Sequence, residues 1–183
     1  MATCSEVMHA LFDEALYQIE MSRLLQDAAD VMRRDYPTLV IYSVSIWTDP
    51  NAAASAVSVD TKENSDAKLA TLTAWAYARQ AEALAAGDPE IAVLLGTLPP
   101  RNRNPADFVL REVTSVEHRS FPAHWEDASR GDCWRELGPA LQMVRANALT
   151  LFSIFPLHSD AELAVNSASD WYDTPVPLLR RAI

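Results

Sequence analysis

The chain has 183 residues, 49% of them hydrophobic, with 25 acidic against 15 basic side chains, a formal charge of −10 and an isoelectric point near 4.7. This length and composition are typical of a folded domain and argue against intrinsic disorder. The charge argues against direct nucleic-acid binding, because that affinity comes from Lys and Arg neutralising phosphates. A negative field favours basic partners, and it also keeps a protein soluble.

The cysteine content and the start of the chain indicate the compartment. Cys4 and Cys133 are the two cysteines, too few for a disulfide framework, which favours a reducing environment. Residues 1–20 lack the basic start of a signal peptide, and acidic side chains such as Glu6 and Asp13 interrupt the apolar positions. No stretch of about 18 apolar residues occurs. We therefore expect a cytoplasmic protein without a membrane span.

The first third of the chain predicts a helix followed by a β-hairpin. Apolar residues recur at spacings of three and four from Ser5 to Met32, and Pro37 prevents the helix from continuing. Residues 39–47 are rich in β-branched and aromatic side chains, as in a strand. A Thr-Asp-Pro-Asn turn separates them from residues 53–59, in which small polar and apolar side chains alternate. These two strands are expected to pair antiparallel.

A second helix is predicted from about Ser65 to a C-terminal cap at Gly87, because this segment is rich in alanine. Residues 91–95 fit either a short strand or one helical turn, and residues 96–105 predict a loop. The predicted buried stripe of this helix consists of Leu69, Leu72, Trp75, Ala76, Ala83 and Leu84.

The second half of the chain adds a strand, a helix and another strand. Alternation predicts a strand at residues 107–113. A long apolar helix is predicted to begin at Pro139, a residue tolerated in a first helical turn, and to end at Pro156. Residues 163–166 fit a short strand. The order of elements predicts a single α+β domain over residues 1–183, with a mostly antiparallel sheet and helices packed on one face.

Cys133 is the strongest candidate nucleophile. It precedes Trp134 near a helix start, where a thiol pKa can be lowered, and His118, His124 or His158 could serve as a base. The glycine-rich lead-in of papain-like cysteine motifs is missing. This favours a buried structural cysteine, with an enzyme using Cys133 as the alternative.

Histidine and acidic residues in the same region permit a metal-dependent hydrolase as a further alternative. His118 and His124 lie six residues apart, without the closely spaced pairs typical of zinc sites. The chain also lacks the common hydrolase motifs and phosphate-binding glycine loops. We therefore expect neither a cofactor nor enzymatic activity. The other residues considered as ligands are Asp127, Asp132, Cys133, His158, Asp160 and Glu162.

Two tryptophans lie in acidic, loop-like surroundings, whereas Trp47 and Trp75 lie in periodic elements and are expected in the core. Aromatic rings flanked by carboxylates are suitable anchors for a basic protein partner. The alternative is that these rings fill the core from loops. The predicted partner-binding residues are Trp125, Glu126, Asp127, Asp132, Asp170, Trp171 and Asp173.

Several segments together resemble a bacterial domain-of-unknown-function group that is classed with the immunity proteins of polymorphic toxin systems. The segments are Ile41–Asp49, Ser58–Asn64, Ala106–Glu112, Cys133–Leu137 and Asp160–Asn166. The resemblance implies a small cytoplasmic protein that binds a cognate basic toxin domain and neutralises it by stoichiometric inhibition. It implies no catalytic residues, and we expect a monomer or a small homo-oligomer. A non-catalytic adaptor or scaffold is the remaining alternative.

Overall fold

Five β-strands form one sheet in the computed structural model, which describes residues 11–95 and 98–179. The strands are β1 (Ile41–Asp49), β2 (Ala54–Asp60), β3 (Leu110–Glu117), β4 (Leu157–Val165) and β5 (Asp173–Pro177). Their order across the sheet is β3-β2-β1-β4-β5. The β1–β4 pair is parallel and the other three pairs are antiparallel. The predicted α+β class with a mostly antiparallel sheet is confirmed, as is the β1–β2 hairpin.

The described residues also form five α-helices: α1 (Glu14–Asp35), α2 (Lys62–Ala85), α3 (Pro89–Leu95), α4 (Trp125–Ser129) and α5 (Trp134–Phe152). Asp13 caps α1, because its Oδ1 accepts a hydrogen bond from Leu16 N at 2.9 Å. The helix ends before Pro37, as predicted. The predicted start at Ser5 lies outside the described residues. In the described parts of the chain, none of the helices combines the length and apolar character that crossing a membrane requires.

The main core lies between one face of the sheet and the helices α1 and α5. Because successive strand residues point to opposite faces, Val44 and Ile46 of β1 face these helices together with Leu163 of β4. The two helices pack against each other and against the strands. They contribute fully or almost fully buried side chains, among them Tyr17, Met21, Leu25, Met32, Leu137, Leu141, Val144 and Phe152.

The opposite face of the sheet carries small polar side chains and a second, smaller apolar cluster of Phe108, Ala164 and Tyr172. It lies under the segment that leads to β3. Arg101 crosses it, with its guanidinium 4.1 Å from the centroid of the Tyr42 ring and its Nε 3.2 Å from Oε1 of Glu162. Asp60, at the end of β2, accepts hydrogen bonds on Oδ1 from Val109 N and Asn64 Nδ2. Burial raises the pKa of Asp60. The second face is therefore covered by an anchored chain segment.

Four local predictions differ from the structure. The strand predicted at residues 107–113 is shifted, because β3 covers Leu110–Glu117 and Asp107 belongs to a short 3-10 helix, Pro105–Asp107. Helix α5 begins at Trp134 and contains Pro139, so the predicted start at Pro139 is wrong; the proline removes one helical hydrogen bond, to the carbonyl of Arg135. The predicted short strand at residues 163–166 is the end of the longer strand β4, which covers Leu157–Val165 and so excludes Asn166. In α2, Ala76 is the one member of the predicted stripe that is buried, and Trp75 is 52% exposed. Gly87 has a φ of +79°, as expected after a helix C-terminus.

Truncation of the α5 core face should destabilise the fold. Leu141 is 1% exposed, whereas Met143 on the same helix is 47% exposed. We expect Leu141→Ala to lower the free energy of unfolding by about 2–5 kcal/mol, because it leaves a cavity between the helix and the sheet. Met143→Ala should cost less than about 1 kcal/mol. Urea denaturation followed by circular dichroism measures both, and equal losses would contradict this placement of the core.

Candidate functional site

The parallel strands β1 and β4 end at the same edge of the sheet, and one side chain joins their ends. Asn166 directly follows β4 and is buried. Its Oδ1 accepts a hydrogen bond from Thr48 N at 2.9 Å, and its Nδ2 donates to Thr48 O at 2.8 Å. This amide continues the pairing of the two strands beyond the last residue of β4. It thereby fixes the start of the loop formed by residues 166–172 beside the end of β1.

A depression of about 210 Å³ lies at this edge, between the β1–β2 turn, α4, the start of α5 and the loop of residues 166–172. Three of its lining residues, Asp49, Glu126 and Asp170, are acidic, and two, Trp134 and Trp171, are aromatic. We call this set of five residues the acidic depression. The remaining lining residues are Thr48, Pro50, Asn51, Asn166, Ser167, Ala168 and Ser169.

Local hydrogen bonds hold each carboxylate of the acidic depression in place. Asp49 Oδ1 accepts from the backbone N–H groups of Asn51 and Ala52, at 2.8 and 2.9 Å, in the turn that follows β1. Glu126 Oε1 accepts from Trp134 Nε1 at 2.8 Å. Asp170 Oδ1 accepts from Tyr172 N at 3.0 Å. Each carboxylate is thus oriented through one oxygen, so little side-chain entropy remains to be lost on binding.

The acidic depression is suited to a cationic side chain. No Lys or Arg is among the residues that line it, all of which the structure describes. Trp171 is 56% exposed, and its ring meets that of Trp47 edge to face, with centroids 6.1 Å apart. A guanidinium or ammonium group placed here would meet carboxylates and the face of an aromatic ring together.

The structure brings together three of the predicted partner-binding residues, Glu126, Asp170 and Trp171, in the acidic depression. Asp127 lies beside it, because its backbone N–H donates to Asn51 Oδ1 and its Oδ1 accepts from Asn51 Nδ2. The remaining acidic positions do not line the depression: Asp132 pairs with Arg135 at 3.3 Å, and Asp173 begins β5, opposite Val165 of β4.

Trp125 does not lie on the surface. Its side chain is 7% exposed, and its ring stacks on Phe12 with centroids 4.6 Å apart and meets Phe121 edge to face. This position agrees with the alternative that the ring fills the interior from a loop. Trp125 therefore packs in the interior, whereas its neighbours Glu126 and Asp127 are more exposed.

Two residues of this edge carry no functional signal in the sequence. Asp49 belongs to a Thr-Asp-Pro-Asn run that predicts only a turn, and Asn166 ends a short strand pattern. The pairing of Asn166 with Thr48 joins residues 118 positions apart. A turn signal could have marked Asp49 as an oriented carboxylate, since Asp at the start of a turn accepts backbone N–H groups.

A buried polar network lies on the helix-covered face of the sheet, and its residue types are those of a catalytic triad. Ser55 Oγ is 2.7 Å from His118 Nε2, and His118 Nδ1 is 2.8 Å from Glu20 Oε2. Glu20 also accepts from Arg119 N at 3.0 Å and from Ser120 Oγ at 2.7 Å. Such a Ser-His-acid order is the one in which a serine can be activated.

The burial of this network supports a structural role. Ser55 is 0% exposed, and its Oγ lies 2.6 Å from Thr48 Oγ1, which in turn lies 3.2 Å from the hydroxyl of Tyr17. A substrate carbonyl therefore has no access to Ser55 in this conformation. The network instead ties α1 to β1, β2 and the end of β3, because its members come from these elements.

The protonation states of His118 and Glu20 determine which atoms of the network donate hydrogen bonds and which accept them. Burial lowers the pKa of His118, and this effect exceeds the opposing influence of Glu20. Desolvation opposes ionisation of Glu20, but hydrogen bonds from Arg119, His118 and Ser120 outweigh it, so the pKa of Glu20 is lowered. Neutral His118 then donates from Nδ1 to the carboxylate and accepts on Nε2 from the Ser55 hydroxyl.

Cys133 lies at the N-terminal boundary of α5 and is 2% exposed. Burial raises the pKa of its thiol, an effect opposite to that of an activated nucleophile. His118 is engaged by Glu20 and Ser55, and His158 Nδ1 accepts from Asp160 N at 3.1 Å. Within residues 11–95 and 98–179, no three His, Cys, Asp or Glu side chains are grouped so that they could hold a metal ion.

In comparisons with known proteins, no family model, curated protein or solved structure matches the chain.

Removal of the His118 ring should make stability less dependent on pH. A histidine side chain in the unfolded chain has a pKa of about 6.5, and the pKa of His118 is lower in the folded state. The unfolded chain therefore binds more protons as the pH falls below about 6.5, and stability declines there. We expect His118→Gln to cost about 1–3 kcal/mol at neutral pH, because it breaks the network, and this deficit should shrink as the pH falls toward about 5.5.

Urea denaturation of the wild type and His118→Gln across this pH range measures the effect. His158→Gln is the matched control, since His158 lies outside the buried network, and its stability should stay near that of the wild type. A deficit of His118→Gln that grows on acidification would contradict a neutral His118 in the folded protein.

The Cys133 thiol should react slowly with alkylating reagents. In a Cys4→Ser variant, Cys133 is the remaining thiol. We expect its alkylation by iodoacetamide near neutral pH to be at least about tenfold slower than that of glutathione, because the thiol is buried and its pKa is raised. Mass spectrometry with and without denaturant measures the rate. Alkylation faster than that of glutathione in the folded protein would favour an enzyme that uses Cys133.

Proposed function

We propose that this protein is an immunity-type inhibitor, which binds a cognate basic toxin domain through the acidic depression and blocks it stoichiometrically. The observation that carries the proposal is the group of oriented carboxylates, Asp49, Glu126 and Asp170, beside the half-exposed ring of Trp171. Interfaces gain much of their energy from a few aromatic and charged anchors of this kind. The segments that resemble immunity proteins support the same function.

The charge of the chain supports fast association with a basic domain. The formal charge is −10, and an overall field of this sign attracts cationic proteins over distances of about the Debye length, roughly 8–10 Å at moderate salt. A lysine or arginine of the toxin would enter the acidic depression, where the local carboxylates fix its orientation. Inhibition follows from occupation of the toxin surface and requires no turnover, in keeping with the buried state of Ser55 and Cys133.

Co-purification from the native host is the first experiment. Affinity-tagged protein should retain a basic partner in a stoichiometric amount, and co-expression should protect cells from that partner. Recovery of the tagged protein alone, under conditions in which the candidate toxin is expressed, would contradict the proposal.

With the partner in hand, variants test the acidic depression. Glu126→Gln with Asp170→Asn keeps the local hydrogen bonds, and we expect the association rate at low salt to fall by about three- to tenfold because steering is weakened. Trp171→Ala should weaken the dissociation constant by about tenfold or more through faster dissociation. Surface plasmon resonance at several salt concentrations measures both effects.

The matched control removes the same amount of charge elsewhere. Asp27 lies on the exposed side of α1 and Glu63 near the start of α2, at the end of β2 opposite the acidic depression. Asp27→Asn with Glu63→Gln should slow association by less than about twofold. An equal loss in both double variants would show that only the overall charge matters, and would exclude the acidic depression as the binding site.

A further inference from the structure

Another cavity, of about 450 Å³, lies on the sheet face opposite α1 and α5. Its lining residue Ser58 alternates along β2 with Val57 and Val59 of the main core, which places it on that opposite face. The cavity shares Asp49 and Trp171 with the acidic depression, and its volume is within the range of small-molecule sites, about 300–1,000 Å³. We call it the tryptophan pocket. Its lining residues are Trp47, Asp49, Ser58, Asn104, Pro105, Ala106, Arg111, Glu112 and Trp171.

Two tryptophans line this pocket, with their rings nearly perpendicular. The planes of Trp47 and Trp171 meet at 83°. The face of an indole ring attracts cations more strongly than the face of any other side-chain ring. In the described parts of the chain, the cations that lie over aromatic rings are Arg33, Lys62 and Arg101, and none of them lies over a tryptophan. The two indole rings are therefore available to a cation from outside the chain.

A bulge in β3 brings two consecutive charged residues to the tryptophan pocket. Neighbouring strand residues normally point to opposite faces of a sheet, yet Arg111 and Glu112 both line the pocket. Glu112 has a φ of +47°, and the pairing of β3 with β2 shifts its register here. Glu112 N donates a hydrogen bond to Ser58 Oγ at 3.2 Å, which holds the bulge in place. Bulges commonly redirect side chains next to functional sites.

The charges of the tryptophan pocket have both signs. Asp49 and Glu112 are acidic and Arg111 is basic. Among residues 11–95 and 98–179, none of these three side chains takes part in an ion pair within 4.0 Å. A ligand with one positive and one negative group would therefore find a counter-charge for each of them.

Several polar groups of the pocket already have partners within the protein. Asn104 Oδ1 accepts a hydrogen bond from Ala106 N at 3.2 Å, and Asn104 Nδ2 donates to Asp107 Oδ2 at 2.9 Å. Asp49 Oδ1 accepts from two backbone N–H groups. A primary ammonium group has three N–H donors that need acceptors in place of water, whereas a quaternary ammonium group has none. The pocket therefore favours a cation without N–H groups.

We propose that the tryptophan pocket binds a small quaternary ammonium compound that also carries a carboxylate, a ligand of the betaine class. The alkylated nitrogen lies against the rings of Trp47 and Trp171. The carboxylates of Asp49 and Glu112 balance its positive charge, and the ligand carboxylate pairs with Arg111. This inference does not rest on the proposed toxin binding, because it concerns a small ligand of the isolated protein.

An NMR titration with glycine betaine tests the pocket. The five tryptophans give five indole N–H signals in nitrogen-labelled protein, and Trp47→Leu and Trp171→Leu assign two of them. These two signals should shift saturably, with a dissociation constant of about 1 mM or lower, which is reasonable for a ligand of this size. No saturable shift at about 10 mM glycine betaine would overturn the proposal, whatever the outcome of the toxin experiments.

A second ligand tests the role of the positive charge. Tert-butylacetate has the shape of glycine betaine, with a neutral carbon in place of the charged nitrogen. We expect it to bind at least about fivefold more weakly, because the attraction between the cation and the indole rings is lost. Equal affinity for the two ligands would show that the pocket recognises only shape, and would overturn the proposal.

Matched tryptophan substitutions locate the site. Trp47 lines the tryptophan pocket and not the acidic depression. Trp47→Leu should raise the dissociation constant for glycine betaine by at least about fivefold. Trp75→Leu is the control, since Trp75 is 52% exposed and does not line the pocket, and it should leave the constant within about twofold. Equal affinities of these two variants, both folded by circular dichroism, would contradict this location.

Two further substitutions change exposed side chains and separate the ends of the ligand. Arg111 and Glu112 are both exposed, so their replacement should leave the fold intact. Arg111→Gln should weaken glycine betaine by about fivefold and should not weaken tetramethylammonium, which lacks the carboxylate. Glu112→Gln should weaken both ligands by about two- to fivefold. Equal losses for the two ligands in Arg111→Gln, or no loss in Glu112→Gln, would overturn the assignment.

Discussion

One buried carboxylate, that of Glu20, holds helix α1 against the sheet. Removal of an ionised group from water is costly unless hydrogen bonds replace the lost hydration. Here the replacements come from Ser120, from the backbone of Arg119 and from His118, all in the segment after β3. The position of α1 therefore depends on a chain segment about a hundred positions away in sequence, and the apolar packing of α1 and α5 is built around that attachment.

The same network reaches the acidic depression. His118 contacts Ser55, Ser55 contacts Thr48, and the main chain of Thr48 pairs with Asn166. Thr48 directly precedes Asp49, and both residues line the depression. A set of buried hydroxyl, imidazole and amide groups thus positions the charged surface, as is typical of sites that need a rigid support. The triad-like geometry of Ser55, His118 and Glu20 is explained by this supporting role.

The sequence predicts the local elements well and their long-range partners poorly. Alternation of side chains and a turn signal suffice for the β1–β2 hairpin, because both act over a few residues. The parallel pairing of β1 with β4 and the contact of Glu20 with His118 have no local signal, since neither leaves a periodic pattern. Burial is predicted least well for α2: Trp75 has the helical spacing of a core residue, yet it is 52% exposed. Of the predicted surface anchors, Trp171 lies on the surface and Trp125 lies in the core.

The two hydrogen bonds between Asn166 and Thr48 have an evolutionary consequence. They end the sheet at a fixed point, and the residues that follow, from Ser167 to Trp171, contribute side chains to the acidic depression without adding a strand to the sheet. Surface loops attached in this way tolerate substitution and insertion, whereas their anchoring residues do not. In the proposed inhibitor, partner specificity can therefore change through substitutions in one short loop that leave the scaffold intact.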